Sequence, residues 1–211
     1  MARKKTLNGL VSVAIGLAWV SSVGWGARML FTYENTPGAP GASAGRWPAG
    51  SKIARPQGKF TLVMLAHPEC PCTRASLAEL EILMARLPGK LVALVEFRKP
   101  GADQREVQGM ALWNRAAAIP GVSVGFDQDG AAVEEFGAEV SGQALLYDPE
   151  GLLVFSGGIT AARGHEGDNA GVDAVIQRVN GGQAPFRTAV FGCSLRDPGA
   201  RTLEKESSWK R

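Results

Sequence analysis

The stretch Leu62-Val63-Met64-Leu65-Ala66-His67-Pro68-Glu69-Cys70-Pro71-Cys72-Thr73 decides how the rest of the chain is read. It opens as an apolar run, continuous in the way of a strand buried on both faces. It closes on two cysteines separated by one proline. Leu77, Leu80, Leu83 or Met84, and Leu87 then recur at the spacing of one buried helical face. Cysteines that end a strand and open a helix meet unpaired N–H groups and partial positive charge, which favour thiolate over thiol. Pro71 suits the first helical turn, where its missing N–H costs nothing. The pattern points to redox chemistry at Cys70 and Cys72. A small metal-binding loop, or two inert buried cysteines, are the other readings of the same residues.

The chain has 211 residues, enough for one domain with appendages, and 45% of them are hydrophobic. A formal net charge of +3 is too small to argue for nucleic acid, and no basic stripe with interleaved aromatics appears. The three cysteines do not form a disulfide framework: two make a close pair and Cys193 is left over. Arg3, Lys4 and Lys5 precede Leu7 to Trp25, a run without a charged residue. A membrane span needs roughly 20 apolar residues, and a basic cluster stays in the cytoplasm. The expectation is a single-pass anchor in the cell inner membrane, with the domain facing the periplasm or cell exterior. A cleaved secretory signal is the competing reading; Trp25 between Gly24 and Gly26 suits a cleavage site poorly. Both readings place the bulk of the chain where disulfide chemistry is expected.

Four regions follow. Residues 1–34 are the basic tip, the anchor and a short flank. Residues 35–55 are rich in Pro, Gly, Ala and Ser and read as a linker. Residues 56–195 form the folded domain, and residues 196–211 are a charged tail. Within the domain, Phe60 to Ala66 is a strand and the helix behind the cysteines runs to Leu87. Leu91 to Phe97 is a second strand. Asp103 and Glu106 are spaced as a capping box for one helix reaching Ile119. Val122 to Phe126 is a third strand and Ala131 to Phe136 a short helix. Ala144 to Tyr147 and Leu152 to Phe155 flank Asp148-Pro149-Glu150-Gly151 as a hairpin. Val172, Val175, Ile176 and Val179 mark a last helix capped by Asp168 or Asn169. The order predicts an α/β sheet whose first strands are parallel and whose final hairpin is antiparallel.

That order, with cysteines at the end of its first strand, resembles the thioredoxin fold. The resemblance is closest to membrane-anchored extracytoplasmic thiol-disulfide oxidoreductases of the cytochrome c maturation kind, which insert one helix-strand unit; here Asp103 to Phe126 fills that slot. Phe126-Asp127-Gln128-Asp129-Gly130, Phe136-Gly137 and Leu145 to Gly151 look like that group's closing half. Anchored bacterial proteins labelled RedB share a similar Cys-Pro-Cys and a similar Phe191-Gly192-Cys193 ending. Two departures stand out. The family motif has two residues between its cysteines and this chain has only Pro71, so either Cys70 or Glu69 occupies the nucleophile's place. The family's cis-proline before the hairpin is replaced by Gly142, after Ser141, which removes a side chain beside the sulfurs and opens room there.

Gly157 to Gly171 is too long and too polar for a plain connector. The second hairpin strand should end at the same sheet edge as the cysteines, so this loop faces them and brings Arg163, His165, Glu166 and Asp168. The roles open to it are substrate recognition, thiolate stabilisation by Arg163 and a ligand from His165, against a plain glycine-rich loop with a helix cap. His67, three residues before Cys70, reads mainly as structural. Cys193 follows the last helix by a dozen residues, enough to return to the active edge. It is either an inert buried cysteine, a resolving thiol, or the completion of a Cys₃His site with Cys70, Cys72 and His165.

The resulting expectation is an anchored oxidoreductase in which Cys70 attacks an extracytoplasmic thiol or disulfide protein partner and Cys72 resolves the mixed disulfide, with no cofactor required. A strained ring across Pro71 would make a Cys70–Cys72 disulfide readily reducible. The alternatives are a copper- or zinc-handling assembly protein built on the same cysteines and a non-catalytic thioredoxin-fold binding module.

Overall fold

The computed structural model describes residues 2–196, divided into two compact units at Thr36/Pro37. The first unit is one helix, α1 (Ala2–Asn35), of which Gly9–Asn35 is long and apolar enough to cross a membrane. It is longer than the expected Leu7–Trp25 span, because the flank after Trp25 stays helical. Two of its hydroxyls turn back on the helix: Ser22 Oγ donates to the Ala18 carbonyl and Thr32 Oγ1 to the Arg28 carbonyl, both at 2.8 Å. Large apolar side chains such as Leu17, Trp19 and Phe31 are exposed along it, a surface suited to lipid.

In the second unit, β1 (Phe60–Ala66), β2 (Leu91–Phe97), β3 (Val122–Phe126), β4 (Gln143–Tyr147) and β5 (Leu153–Gly157) form one sheet in the order β3-β2-β1-β4-β5. β1, β2 and β3 are parallel; β4 is antiparallel to both β1 and β5. Strand alternation sorts β1 between two cores. Leu62, Met64 and Ala66 face α2 (Pro71–Arg86), α4 (Ala111–Ala118) and α6 (Ala170–Val179), while Val63 and Leu65 face α5 (Ala131–Glu135). Leu77, Leu80, Leu83, Met84 and Leu87 are the buried residues that the helical spacing predicts. Asn169, one of the two expected caps, accepts the Val172 N–H at 2.9 Å.

Two expectations need correction. The single helix from Asp103 to Ile119 is two, α3 (Gln104–Gln108) and α4, both preceding β3. Asp103 caps α3 through the Glu106 N–H at 2.9 Å. The break comes at Gly109, whose N–H bonds back to the Arg105 and Glu106 carbonyls, and at extended Met110. The 35–55 segment is not a free spacer beyond its first residues. The Gly38 N–H donates to the Val190 carbonyl at 2.8 Å and the Trp47 N–H to the Gly151 carbonyl at 2.8 Å. Tyr147 Oη donates to the Ala44 carbonyl at 2.9 Å. Trp47 stacks edge-on against Phe136 and Tyr147, at 5.1 and 5.2 Å between centroids. One large aromatic outweighs the surrounding Pro/Gly/Ala composition, since each such pair is worth about 0.5–1.5 kcal/mol beyond its buried area. Of the expected tail, residues 197–211 lie outside the described residues.

Candidate functional site

β1 delivers the chain to a tight turn, His67-Pro68-Glu69, that aims Cys70 into the sheet edge. The His67 carbonyl accepts from the Cys70 N–H at 3.2 Å and from Thr73 Oγ1 at 2.9 Å. The His67 N–H donates to Ser141 Oγ at 2.8 Å, and the hydroxyls of Ser141 and Thr73 meet at 2.7 Å. The imidazole is a turn element: His67 Nδ1 accepts the Glu69 N–H at 3.2 Å, and burial pushes its pKa down, towards the neutral ring that this contact requires. Glu69 points outward and pairs with Lys99 at 3.3 Å. Cys70 is the extended cap residue of α2, with Pro71 opening the first turn.

Cys70 and Cys72 are 2% and 4% exposed, and Cys193 is exposed at the surface. The sulfurs of Cys70 and Cys193 are 3.2 Å apart. The Cys70 thiol is held well below its ordinary pKa, chiefly by the Cys72 thiol hydrogen-bonding to it. Burial opposes this; the Cys193 thiol and the amides of Thr73 and Cys193 reinforce it. Cys72 is pushed up by that same hydrogen bond and by burial, with the Gly164 amide pulling the other way. Cys193 is raised to about 11, first by burial and then by its bond to Cys70, against the pull of the Arg163 guanidinium. The three thiols are therefore unequal: one thiolate flanked by two proton-bearing neighbours.

Cys193 arrives by a route that the strand pattern does not announce. After α6 the chain runs alongside β5, where the Ser156 N–H donates to the Phe186 carbonyl at 2.9 Å and the Gly158 N–H to the Ala189 carbonyl at 3.2 Å. It then pairs with the segment before β4. The Ser141 N–H donates to the Cys193 carbonyl at 2.8 Å, the Leu195 N–H donates to the Glu139 carbonyl at 2.9 Å, and Val140 and Ser194 form an antiparallel bridge. Gly192 is required by this close approach, because a Cβ there would lie 1.9 Å from the Ser141 carbonyl oxygen. Gly192 and Ser194 line a cavity of about 190 Å³ together with Gly38 and Arg196.

The loop after β5 lies at the cysteine edge, as the strand directions require. Its Gly164 amide approaches Cys72. Arg163 Nη1 donates to the Gly192 carbonyl at 2.8 Å, and its guanidinium acts on Cys193. His165 is exposed, with its N–H on the Ala162 carbonyl at 3.4 Å; Glu166 and Asp168 are exposed as well. Gly142 has φ +85 and its N–H donates to the Leu65 carbonyl at 2.8 Å. Proline supplies neither a positive φ nor an N–H, so this backbone excludes the family's usual residue. Among the described residues no group of three His, Cys, Asp or Glu side chains is arranged to hold a metal ion.

Ser141 and Glu79 are site residues that the sequence reading passed over. Glu79, buried on α2, accepts the Gly167 N–H at 2.6 Å and ties the loop down. A carboxylate set among the leucines of an apolar helical face is the signal that marks it.

No protein-family model and no curated protein matches the chain. Solved structures do. An uncharacterized conserved protein from Geobacillus kaustophilus is 16% identical, covering 78% of this chain and 93% of that one, with a TM-score of 0.56. A hypothetical protein from Sinorhizobium meliloti is 19% identical, covering 76% and 93%, with a TM-score of 0.54. The exposed lipoprotein thioredoxin Etrx1 from Streptococcus pneumoniae is 19% identical, covering 59% and 86%, with a TM-score of 0.45. With its mixed sheet, the α3-α4-β3 segment between β2 and the final hairpin, and three cysteines beside the start of α2, the chain has a thioredoxin-like α/β fold.

Proposed function

We propose that this chain is a membrane-anchored, extracytoplasmic thiol-disulfide oxidoreductase of the cytochrome c maturation or RedB-like kind. One observation carries the reading: a single sulfur, Cys70, sits at the cap of α2 with two neighbouring thiols and two amides favouring its thiolate. A thiolate is the form that attacks and leaves in disulfide exchange. Cys72 and Cys193 are both close enough to act as its second sulfur. The partner is a thiol or disulfide protein in the same compartment, and the chemistry draws on no cofactor.

Exchange between the reduced full chain and a model protein disulfide tests the reading. Wild type should turn over, and Cys70→Ser should lose the activity while keeping its fold. Equal activity in that variant, or no exchange by wild type, would sink it. The location has its own check. A reporter enzyme active only outside the cytoplasm, fused after Arg211, should be active; signal from a cytoplasmic reporter at the same junction would reverse the orientation read from Arg3, Lys4 and Lys5.

A further inference from the structure

We propose that Cys193 is the outer sulfur of this centre: the oxidised protein carries a Cys70–Cys193 disulfide, and partner thiols enter at Cys193. The inference rests on the thiol-exchange reading and assigns its sulfurs. The first support is geometric. The two sulfurs lie 3.2 Å apart, in contact across 123 residues of sequence. The second is access. Cys70, the sulfur best suited to be a thiolate, is 2% exposed, whereas Cys193 is open to solvent. Exchange depends on which sulfur can be reached and on how readily the other one leaves. An exposed outer sulfur over a buried, stabilised inner one satisfies both requirements. The third is seating. The backbone on either side of Cys193 is held by Ser141, Glu139 and Arg163 through hydrogen bonds of 2.8–2.9 Å, so the thiol is presented in one place.

The step balances as follows. A partner thiolate attacks Cys193 Sγ, the partner–Cys193 bond forms, and the Cys70–Cys193 bond breaks with its electron pair leaving on Cys70. A second partner thiolate then attacks the partner sulfur of the mixed disulfide and expels Cys193 as a thiolate, which takes a proton from solvent. The partner loses two electrons and becomes a disulfide, and the protein gains them as the Cys70 thiolate and the Cys193 thiol. Cys72 remains a thiol throughout and hydrogen-bonds the departing Cys70. Run backwards, the same steps reduce a partner disulfide.

The experiment uses the full chain in detergent, oxidised with glutathione disulfide, alkylated, and digested without reduction. The expected result is a peptide pair joined through Cys70 and Cys193, with Cys72 alkylated. In Cys70→Ser the link should be lost and glutathione should accumulate on Cys193, because the inner thiolate that would displace it is gone. Cys72→Ala should still form the Cys70–Cys193 link. A Cys70–Cys72 link in wild type that exchanges with glutathione overturns this assignment and leaves the thiol-exchange reading standing. No internal link together with no exchange overturns both.

Discussion

The disulfide that Cys70 forms is expected to be strongly oxidising, with a potential well above the about −300 mV that bounds structural disulfides. The cause is the reduced state, not the bond. Hydrogen bonding from the Cys72 thiol, then from Cys193 and the amides of Thr73 and Cys193, holds the Cys70 pKa well below its ordinary value. Each unit of such lowering is about 1.4 kcal/mol, or about 30 mV for a two-electron couple. The sign follows from a depressed pKa. The advantage of the reduced form is fully present above the ordinary thiol pKa, shrinks as the pH falls, and is gone once the pH drops through the lowered value. Titration against glutathione buffers at several pH values measures the potential, and a small alkylating reagent measures the thiolate. Alkylation of Cys70 should hold its rate from alkaline pH to well below 7 and fall only in acid. A rate that declines steadily below pH 9, with a potential under about −300 mV, would remove the thiolate from the site.

Gly192→Ala is expected to open the centre and to cost about 2–3 kcal/mol of stability. The added Cβ would sit 1.9 Å from the Ser141 carbonyl oxygen and 3.1 Å from Val140 Cγ1. Backbone cannot yield as a flexible side chain does, so the two paired segments must separate. Separation weakens the Ser141–Cys193 and Leu195–Glu139 hydrogen bonds and draws Leu195 out of its buried place. It also carries Cys193 away from Cys70. Thermal unfolding reads the first effect and formation of the Cys70–Cys193 link reads the second. Native stability with undiminished linking would show that the two segments do not pack as described.

Local pattern made the architecture legible, and long-range pairing did not. Continuous apolar runs marked β1 and β2, and Asp103 and the pair Asp168 or Asn169 marked two caps, because those signals act within a few residues. The cap at Cys70 was legible for the same reason, since proline at the first helical position fixes what precedes it. The docking of residues 37–55 was not, because it depends on Trp47 meeting Phe136 and Tyr147 about a hundred residues away. Glu96 was hidden inside an apolar strand. Its neighbour at the end of the adjoining strand β3, Asp127, accepts the Ala132 and Val133 N–H groups at 3.1 and 3.0 Å. Burial, and then Asp127, raise the Glu96 pKa to about 7. Periodicity ranks such a residue by its neighbours' polarity and is silent on which charge will face it.

The pairing of Val140 and Ser141 with Cys193 and Ser194 has a consequence for the order of events as the chain emerges. Cys70 and Cys72 appear early and Cys193 more than a hundred residues later. Contacts of that sequence separation form late in folding, after the entropy of closing so long a loop has been met. Until then the two leading thiols lack the shelter of the returning segment. The centre is thus completed by nearly the last piece of the domain to arrive, and for a newly made molecule the safest moment to become oxidised is after its C-terminal segment has docked.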